Sequence, residues 1–333
     1  MKLVADPTDR MLLDDWQRDF PVTPRPFAVL AEAVDLTEDE VIARLSTMQR
    51  HGRITRVGGT CAPNTLSAST LAAIAAPMDE IEEVAEIINE EAGVNHSYER
   101  EDDWNLWFVA TGPDRAHVAA TLARIERRTG LRVLDLRLVR PFNVDLGFRM
   151  TDTKAPENHA PAKPIHMDVV QPGDRQLMQI LTKGLPIMRE PYAAVADQLG
   201  WSEKQVLDRI SVLSDAGILS RLGVIVRHRA LGWRSNAMVV WDIDHDRITE
   251  AGPALAAVPG ITLCYERQPI EGTWPYRLYS MIHAKAREDA MDTLRNASSL
   301  KELQGVPHKA LFSTRCFRQT GAMIAEAKPM VAE

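Results

Sequence analysis

The sequence predicts an α+β fold built as two tandem copies of one module, a winged helix-turn-helix followed by a ferredoxin-like βαββαβ domain. Three observations lead there. A gapless self-alignment sets Asp9 on Asp174 and runs through Gly58 and Gly223, with 14 of 50 positions identical, where ordinary residue frequencies give about three. Identical pairs include Pro21/Pro186, Pro26/Pro191, Val41/Val206, Arg44/Arg209, Gly52/Gly217 and Arg56/Arg221. Beyond each aligned stretch the apolar pattern changes from helical spacing to strands alternating with helices. A segment with three prolines and little apolar periodicity, Thr151 to His166, separates the copies as a linker. The expected division is a winged helix-turn-helix over 1–60, a ferredoxin-like domain over 61–150, a linker over 151–168, the second winged helix-turn-helix over 169–225 and its ferredoxin-like partner over 226–325.

In the first module Asp9 is placed to cap a helix that turns Leu12, Leu13 and Trp16 inward, and Pro26 opens a second helix, RPFAVLAEAV. In LTEDEVIARLSTMQRHG, Thr37 is the N-cap, Glu40 completes a capping box, Val41, Leu45 and Met48 share a face, and Gly52 stops the helix. RITRVGG then reads as the strand of a wing. Copy two repeats the plan with Ser202 for Thr37 and Gly217 for Gly52. The rest of copy one runs LAAIAAP, a helix in MDEIEEVAEIINEEAG, strands at VNHSYERED and NLWFVATG, a helix in PDRAHVAATLARIERRTG, and a last strand RVLDLRLVRPF. Copy two supplies NAMVVWDI, RITEAGPALAAVPG, ITLCYERQP, YRLYSMIHA, REDAMDTLRNASSL and HKALFSTRCF in the same order.

Composition narrows the function. At 333 residues the chain exceeds one ordinary core. With 39 basic and 46 acidic residues the net charge is −7, so nothing draws the whole molecule to nucleic acid or anionic lipid, and an anion site must be a local group of arginines. The putting of Glu38, Asp39 and Glu40 at the start of the would-be recognition helix repels phosphate, so DNA is not the expected partner. Cys61, Cys264 and Cys316 have neither disulfide-framework nor zinc spacing. A reducing cytoplasm, no resident metal and no membrane are expected: the N-terminal segment is acidic where a secretory signal is apolar, and no run of 18 apolar residues occurs. RVGGT lacks the rest of a phosphate-binding loop.

The module order resembles the Lrp/AsnC architecture of ligand-responsive regulators. More narrowly, LLDDWQRDFPVTPRPFAVLA, HSYERED and NLWFV resemble the NirD type of siroheme decarboxylase subunit, while VRHRALGWRSNAMVVWDI, LCYERQ and WPYRLYSMIHA resemble the NirL type. The whole chain is covered, as in a NirD-NirL fusion related to the AhbA/AhbB pair. CYERQ departs from the NirL pattern, with Glu266 where a second arginine is more usual. The resemblance implies loss of the acetate carboxylates at carbons 12 and 18 of siroheme, giving didecarboxysiroheme on the way to haem d1 or haem. It also implies a cytoplasmic enzyme whose only iron arrives with the substrate, working as a homodimer or with homologous subunits of the NirG/NirH type. The reading from the other class is a ligand-responsive transcription regulator.

A polycarboxylate macrocycle requires arginines, an apolar cleft and a proton donor. Arg227 and Arg229 are expected on one face of a strand with His228 on the other unless a turn intervenes, and the repeated Tyr-Glu-Arg adds Arg100 and Arg267 beside Tyr98 and Tyr265. Imidazole can protonate the carbanion left by CO₂ near neutral pH. His96, His283 and His228 align with no histidine in the other copy, which suits one asymmetric site made by two diverged halves. One of them can instead ligate iron. Trp274 and Tyr276 offer a stacking surface or core filling. His117, His159, His166 and His245 are expected to face solvent, and His51 and His308 carry no assignment.

Overall fold

The computed structural model describes residues 6–144 and 163–325. Copy one contains helices α1 (Pro7–Asp14), α2 (Pro26–Ala33) and α3 (Glu38–Arg50), then strands β1 (Ile54–Cys61) and β2 (Ala68–Ile74). Helix α4 (Ile81–Glu90), strands β3 (Val94–Arg100) and β4 (Leu106–Gly112), helix α5 (Arg115–Thr129) and strands β5 (Val133–Leu136) and β6 (Leu138–Val144) complete it. Copy two runs α6 (Asp174–Lys183), α7 (Pro191–Leu199), α8 (Glu203–Asp215), β7 (Leu219–Val226), β8 (Ser235–Trp241), α9 (Ile248–Ala256), β9 (Ile261–Arg267), β10 (Leu278–Ala284), α10 (Arg287–Ser298) and β11 (His308–Gln319). Most of the expected linker, and His159 with it, lies outside the described residues.

The local signals act as their chemistry requires. Thr37 and Ser202 each close a capping box, with Glu40 and Gln205 respectively, and Gly52 and Gly217 take φ of +67° and +70° just beyond their helices. One cap differs: Asp6, not Asp9, accepts from the Asp9 amide to start α1. Asp9 lies within the first turn, where its carboxylate meets Arg44 at 2.8 Å, and Asp174 meets Arg209 at 2.6 Å in copy two.

The two helix-turn-helix units share one core. Leu12, Phe27 and Leu45 join Leu177, Tyr192 and Ile210 in a single cluster, the Tyr192 hydroxyl donates to Pro21 O at 2.8 Å, and the wings β1 and β7 pair antiparallel with Gly58 opposite Gly223. Neither unit is a separate reading head.

The remaining strands form a nine-stranded sheet in the order β5-β2-β4-β3-β11-β8-β10-β9-β6. Its two ends, β5 and β6, are consecutive in the chain and separated only by Arg137, so the sheet closes into a barrel. The expected single last strand of copy one is therefore two: β5 pairs with its own β2 and β6 crosses to β9 of copy two. Strand β11 returns the exchange, His308–Phe312 pairing with β8 and Ser313–Gln319 with β3. Helices α4 and α5 cover the outside of one half through Ile81, Val84, Ile88, Val118, Leu122 and Ile125. The outer core of the other half gathers Ile248, Leu255, Ala290 and Leu294 of α9 and α10. Inward residues Trp107, Leu136, Met238, Val240, Tyr279 and Leu311 pack against one another with Trp274 and fill one part of the barrel. Among the described residues no helix is long and apolar enough to cross a membrane.

Candidate active site

The unfilled part of the barrel interior is a cavity of about 370 Å³. Side chains alternate along a strand, so every second residue reaches it: Ser69 and Leu71 on β2, His96, Tyr98 and Arg100 on β3, Asn236 and Met238 on β8, Leu263, Tyr265 and Arg267 on β9, and Tyr279, Met281 and His283 on β10. Arg56 and Arg221 enter from the wings, and Gln319 from the exchanged end of β11. Both copies thus build one cavity. Its described lining holds four arginines, two histidines and no aspartate or glutamate, although the chain as a whole carries net charge −7.

The repeated Tyr-Glu-Arg now has a physical account. Arg100 Nη1 donates to Leu311 O at 3.0 Å, and Arg267 Nη1 donates to Leu136 O at 2.8 Å, so each arginine is tied to backbone of the other copy just before that chain crosses over. In both, Nε is buried without a hydrogen-bond partner among the described residues. Each guanidinium lies over the tyrosine two residues before it, Arg100 at 5.5 Å from Tyr98 and Arg267 at 5.2 Å from Tyr265. Burial pulls Arg100 down to about 10 and lowers Arg267 as well, while it raises Tyr98 and Tyr265. The glutamates point the other way and clasp the exchanged strands: Arg315 Nε meets Glu99 at 2.7 Å and Arg140 Nε meets Glu266 at 2.6 Å. With its N–H on Nδ1, His245 also donates to the Glu266 carboxylate at 3.1 Å. Glu266 therefore takes no charge away from the cavity wall, and His245, though largely exposed, is engaged at its ring.

His96 and His283 line the same cavity but are held differently. His96 stacks on Tyr98 with ring centroids 6.4 Å apart. Burial, and next the nearby Arg56 cation, depress it to about 4, which favours the neutral imidazole at neutral pH. His283 Nδ1 is 2.7 Å from Thr262 Oγ1, which donates to Met281 O at 3.1 Å. With the hydroxyl proton so used, Nδ1–H donates to Oγ1 and Nε2 is the acceptor nitrogen; this tautomer is assigned from the network.

Other expected site residues lie elsewhere. Strand β7 ends at Val226 and a short 3-10 turn covers His228–Leu231, so the expected strand alternation of Arg227, His228 and Arg229 is replaced by that turn. Arg227 is exposed and Arg229 is half-buried, close enough to lower Tyr98 and Cys316 electrostatically; neither is among the cavity-lining residues. The side chain of His228 is outside the described set. Trp274 donates from Nε1 to the Tyr279 hydroxyl at 2.8 Å and packs on Trp107 at 5.3 Å and Tyr276 at 4.8 Å. Trp274 and Tyr276 pack in this aromatic cluster and are not among the cavity-lining residues. Arg56 and Arg221 were visible in the sequence only as an identical pair of the repeat, and Asn236 and Gln319 carried no signal.

The comparisons with known proteins agree with this architecture. Residues 66–142 and 230–318 match the AsnC-like ligand binding domain, and residues 9–54 and 174–219 match the siroheme decarboxylase NirDL-like HTH domain. The siroheme decarboxylase NirDL subunit of Paracoccus pantotrophus is 52% identical over 97% of this chain and 99% of its own length. The chain belongs to the NirDL siroheme decarboxylase family. The NirDL subunit of Paracoccus denitrificans is 51% identical over 97% of the chain and 99% of the relative. A crystal structure of a siroheme decarboxylase NirDL in complex with an iron-uroporphyrin III analogue shares the fold at a TM-score of 0.66 and 27% identity, covering 95% of this chain and 93% of that one.

Proposed function

We propose that the barrel cavity is where this decarboxylase holds siroheme and removes the acetate carboxylates at carbons 12 and 18, giving 12,18-didecarboxysiroheme. The observation that carries the reading is a cavity with four arginines and no carboxylate in its described lining, made jointly by both copies. Buried cations without an acidic partner are costly, and a substrate rich in carboxylates supplies the missing counter-charge. Tyr98, Tyr265, Met238, Met281 and Leu263 offer the ring apolar contact.

In each step the C–CO₂ bond breaks and its electron pair stays on the acetate methylene, delocalised into the macrocycle. One proton then completes a methyl group. No oxidant or reductant is consumed. His96 is the donor in this reading: burial and Arg56 disfavour its protonated form, substrate carboxylates favour it, and so the substrate helps load the acid. His283, with Nδ1 committed to Thr262, presents an acceptor nitrogen of the kind an iron ligand requires. The only iron invoked belongs to the substrate. The acidic start of α3 argues against the regulator, since Arg25 Nε meets Glu38 at 3.1 Å and Arg189 Nε meets Asp39 at 3.0 Å, leaving that surface engaged with its own chain. The enzyme is assigned to the cytoplasm, as a homodimer or with homologous NirG/NirH-type subunits.

Anaerobic titration with iron siroheme, followed by its absorption, tests the shared cavity. One tetrapyrrole per chain and loss of two CO₂ by mass are expected. Two per chain, or none, contradicts a single site built by both halves.

A further inference from the structure

We propose that Arg56, carried by the first wing, binds a carboxylate that the reaction leaves in place: the propionate beside the acetate presented to His96. The inference rests on the cavity being the siroheme site and adds a role for the helix-turn-helix, whose wing becomes part of the substrate pocket.

Arg56 and Arg221 occupy the same position in the two copies and both reach the cavity, yet they are held differently. Arg221 Nε donates to Gln17 O at 2.5 Å and Nη2 to Val224 O at 3.3 Å, so this guanidinium braces backbone. Arg56 Nε is buried with no hydrogen-bond partner among the described residues, and burial alone lowers the group to about 10. Its stem is seated by glycine: a Cβ on Gly184 would lie 3.0 Å from Arg56 Cβ, and one on Gly58 3.5 Å from Cδ. In the repeat Asp19 stands where copy two has Gly184. Arg56 is thus a seated cation without a counter-ion among the described residues, and its field reaches His96.

The chemistry selects which carboxylate it holds. Decarboxylation moves negative charge from oxygen to carbon, so a cation paired with the departing carboxylate stabilises the ground state and opposes the step. A carboxylate present in substrate, transition state and product carries no such penalty. Each acetate at carbons 12 and 18 shares its pyrrole ring with a propionate. Gripping that propionate from the wing orients the neighbouring acetate toward His96.

The test is equilibrium binding of siroheme and of didecarboxysiroheme to wild type, Arg56→Gln, Arg56→Lys and Arg100→Gln. Arg56→Gln is expected to weaken both tetrapyrroles by the same factor, about 10- to 100-fold, with kcat/KM falling in parallel. Arg56→Lys should recover part of the loss, and it carries the comparison if the glutamine variant does not fold. Weakening of siroheme alone would place Arg56 on a departing carboxylate and overturn the proposal. No weakening by Arg56→Gln, with Arg100→Gln impaired, would overturn it while the cavity stands. No weakening by either variant would remove the cavity reading itself.

Discussion

The strands β3 and β9 carry the same Tyr-Glu-Arg in the same register, and the contrast between them separates scaffold from chemistry. In both, tyrosine and arginine face the cavity, the arginine is tied to backbone of the other copy, and the glutamate clasps an arginine outside. The differences fall at inward positions: His96 stands where copy two has Leu263, and His283 where copy one has Thr111. Duplication supplied a symmetric, cationic barrel, and substitution at a few positions gave each half a histidine that the other lacks. Asymmetry suits a substrate whose two acetates occupy different places on the ring.

The largest expected effect tests the shared part. Because Arg100 and Arg267 are equivalent in geometry, Arg100→Gln and Arg267→Gln should each weaken siroheme binding by about 10- to 100-fold, and the double variant by about 10²- to 10⁴-fold. Titrations showing one variant impaired and the other unaffected would break the equivalence. A smaller effect tests the differing part. Thr262→Val removes the group that orients His283 and should lower kcat by about 10- to 100-fold, whereas Asn95→Val at the matching position of copy one should cost less. Steady-state rates for the two variants decide it.

The clasps should also differ. Glu266 is 2% exposed and Glu99 17%, so Arg140→Met leaves a buried carboxylate with His245 as its remaining charged neighbour and is expected to cost about 3 kcal/mol. Arg315→Met breaks a pair at the surface and should cost about 0–1 kcal/mol. Urea unfolding at pH 7 measures both, and equal losses would contradict the assignment. Acid sensitivity separates the two halves as well. His96 titrates near 4 in the folded chain and near 6.5 when unfolded, so the unfolded chain takes up its proton first and stability falls as pH drops through that window. His96→Leu should flatten this part of the stability profile, and an unchanged slope would show that His96 is not held neutral.

Much of the fold was legible because its signals are local. The duplication, both capping boxes, the glycine stops and the βαββαβ order all lie in short stretches of sequence. Strand exchange was not legible: RVLDLRLVRPF reads as one strand whether its second half pairs at home or across, and only the tertiary partner breaks it at Arg137. The inward set His96, Tyr98, Arg100, Tyr265, Arg267 and His283 was within reach of motif repetition and alternation. Arg56 and Arg221 were not, because nothing local distinguishes a wing arginine facing a distant barrel from one facing water. Trp274 and Tyr276 could not be placed either, since aromatic residues beside a histidine look alike as core or as platform until their packing is known.

The most direct test is the mass of the tetrapyrrole after anaerobic incubation of iron siroheme with wild type and with His96→Leu, the change that gives copy one the residue of copy two. Wild type should release two CO₂, while the variant should bind siroheme within a few-fold of wild type and stall, its rate down by about 10²- to 10⁴-fold. Turnover by His96→Leu at the wild-type rate would contradict the central claim that the diverged half supplies the proton.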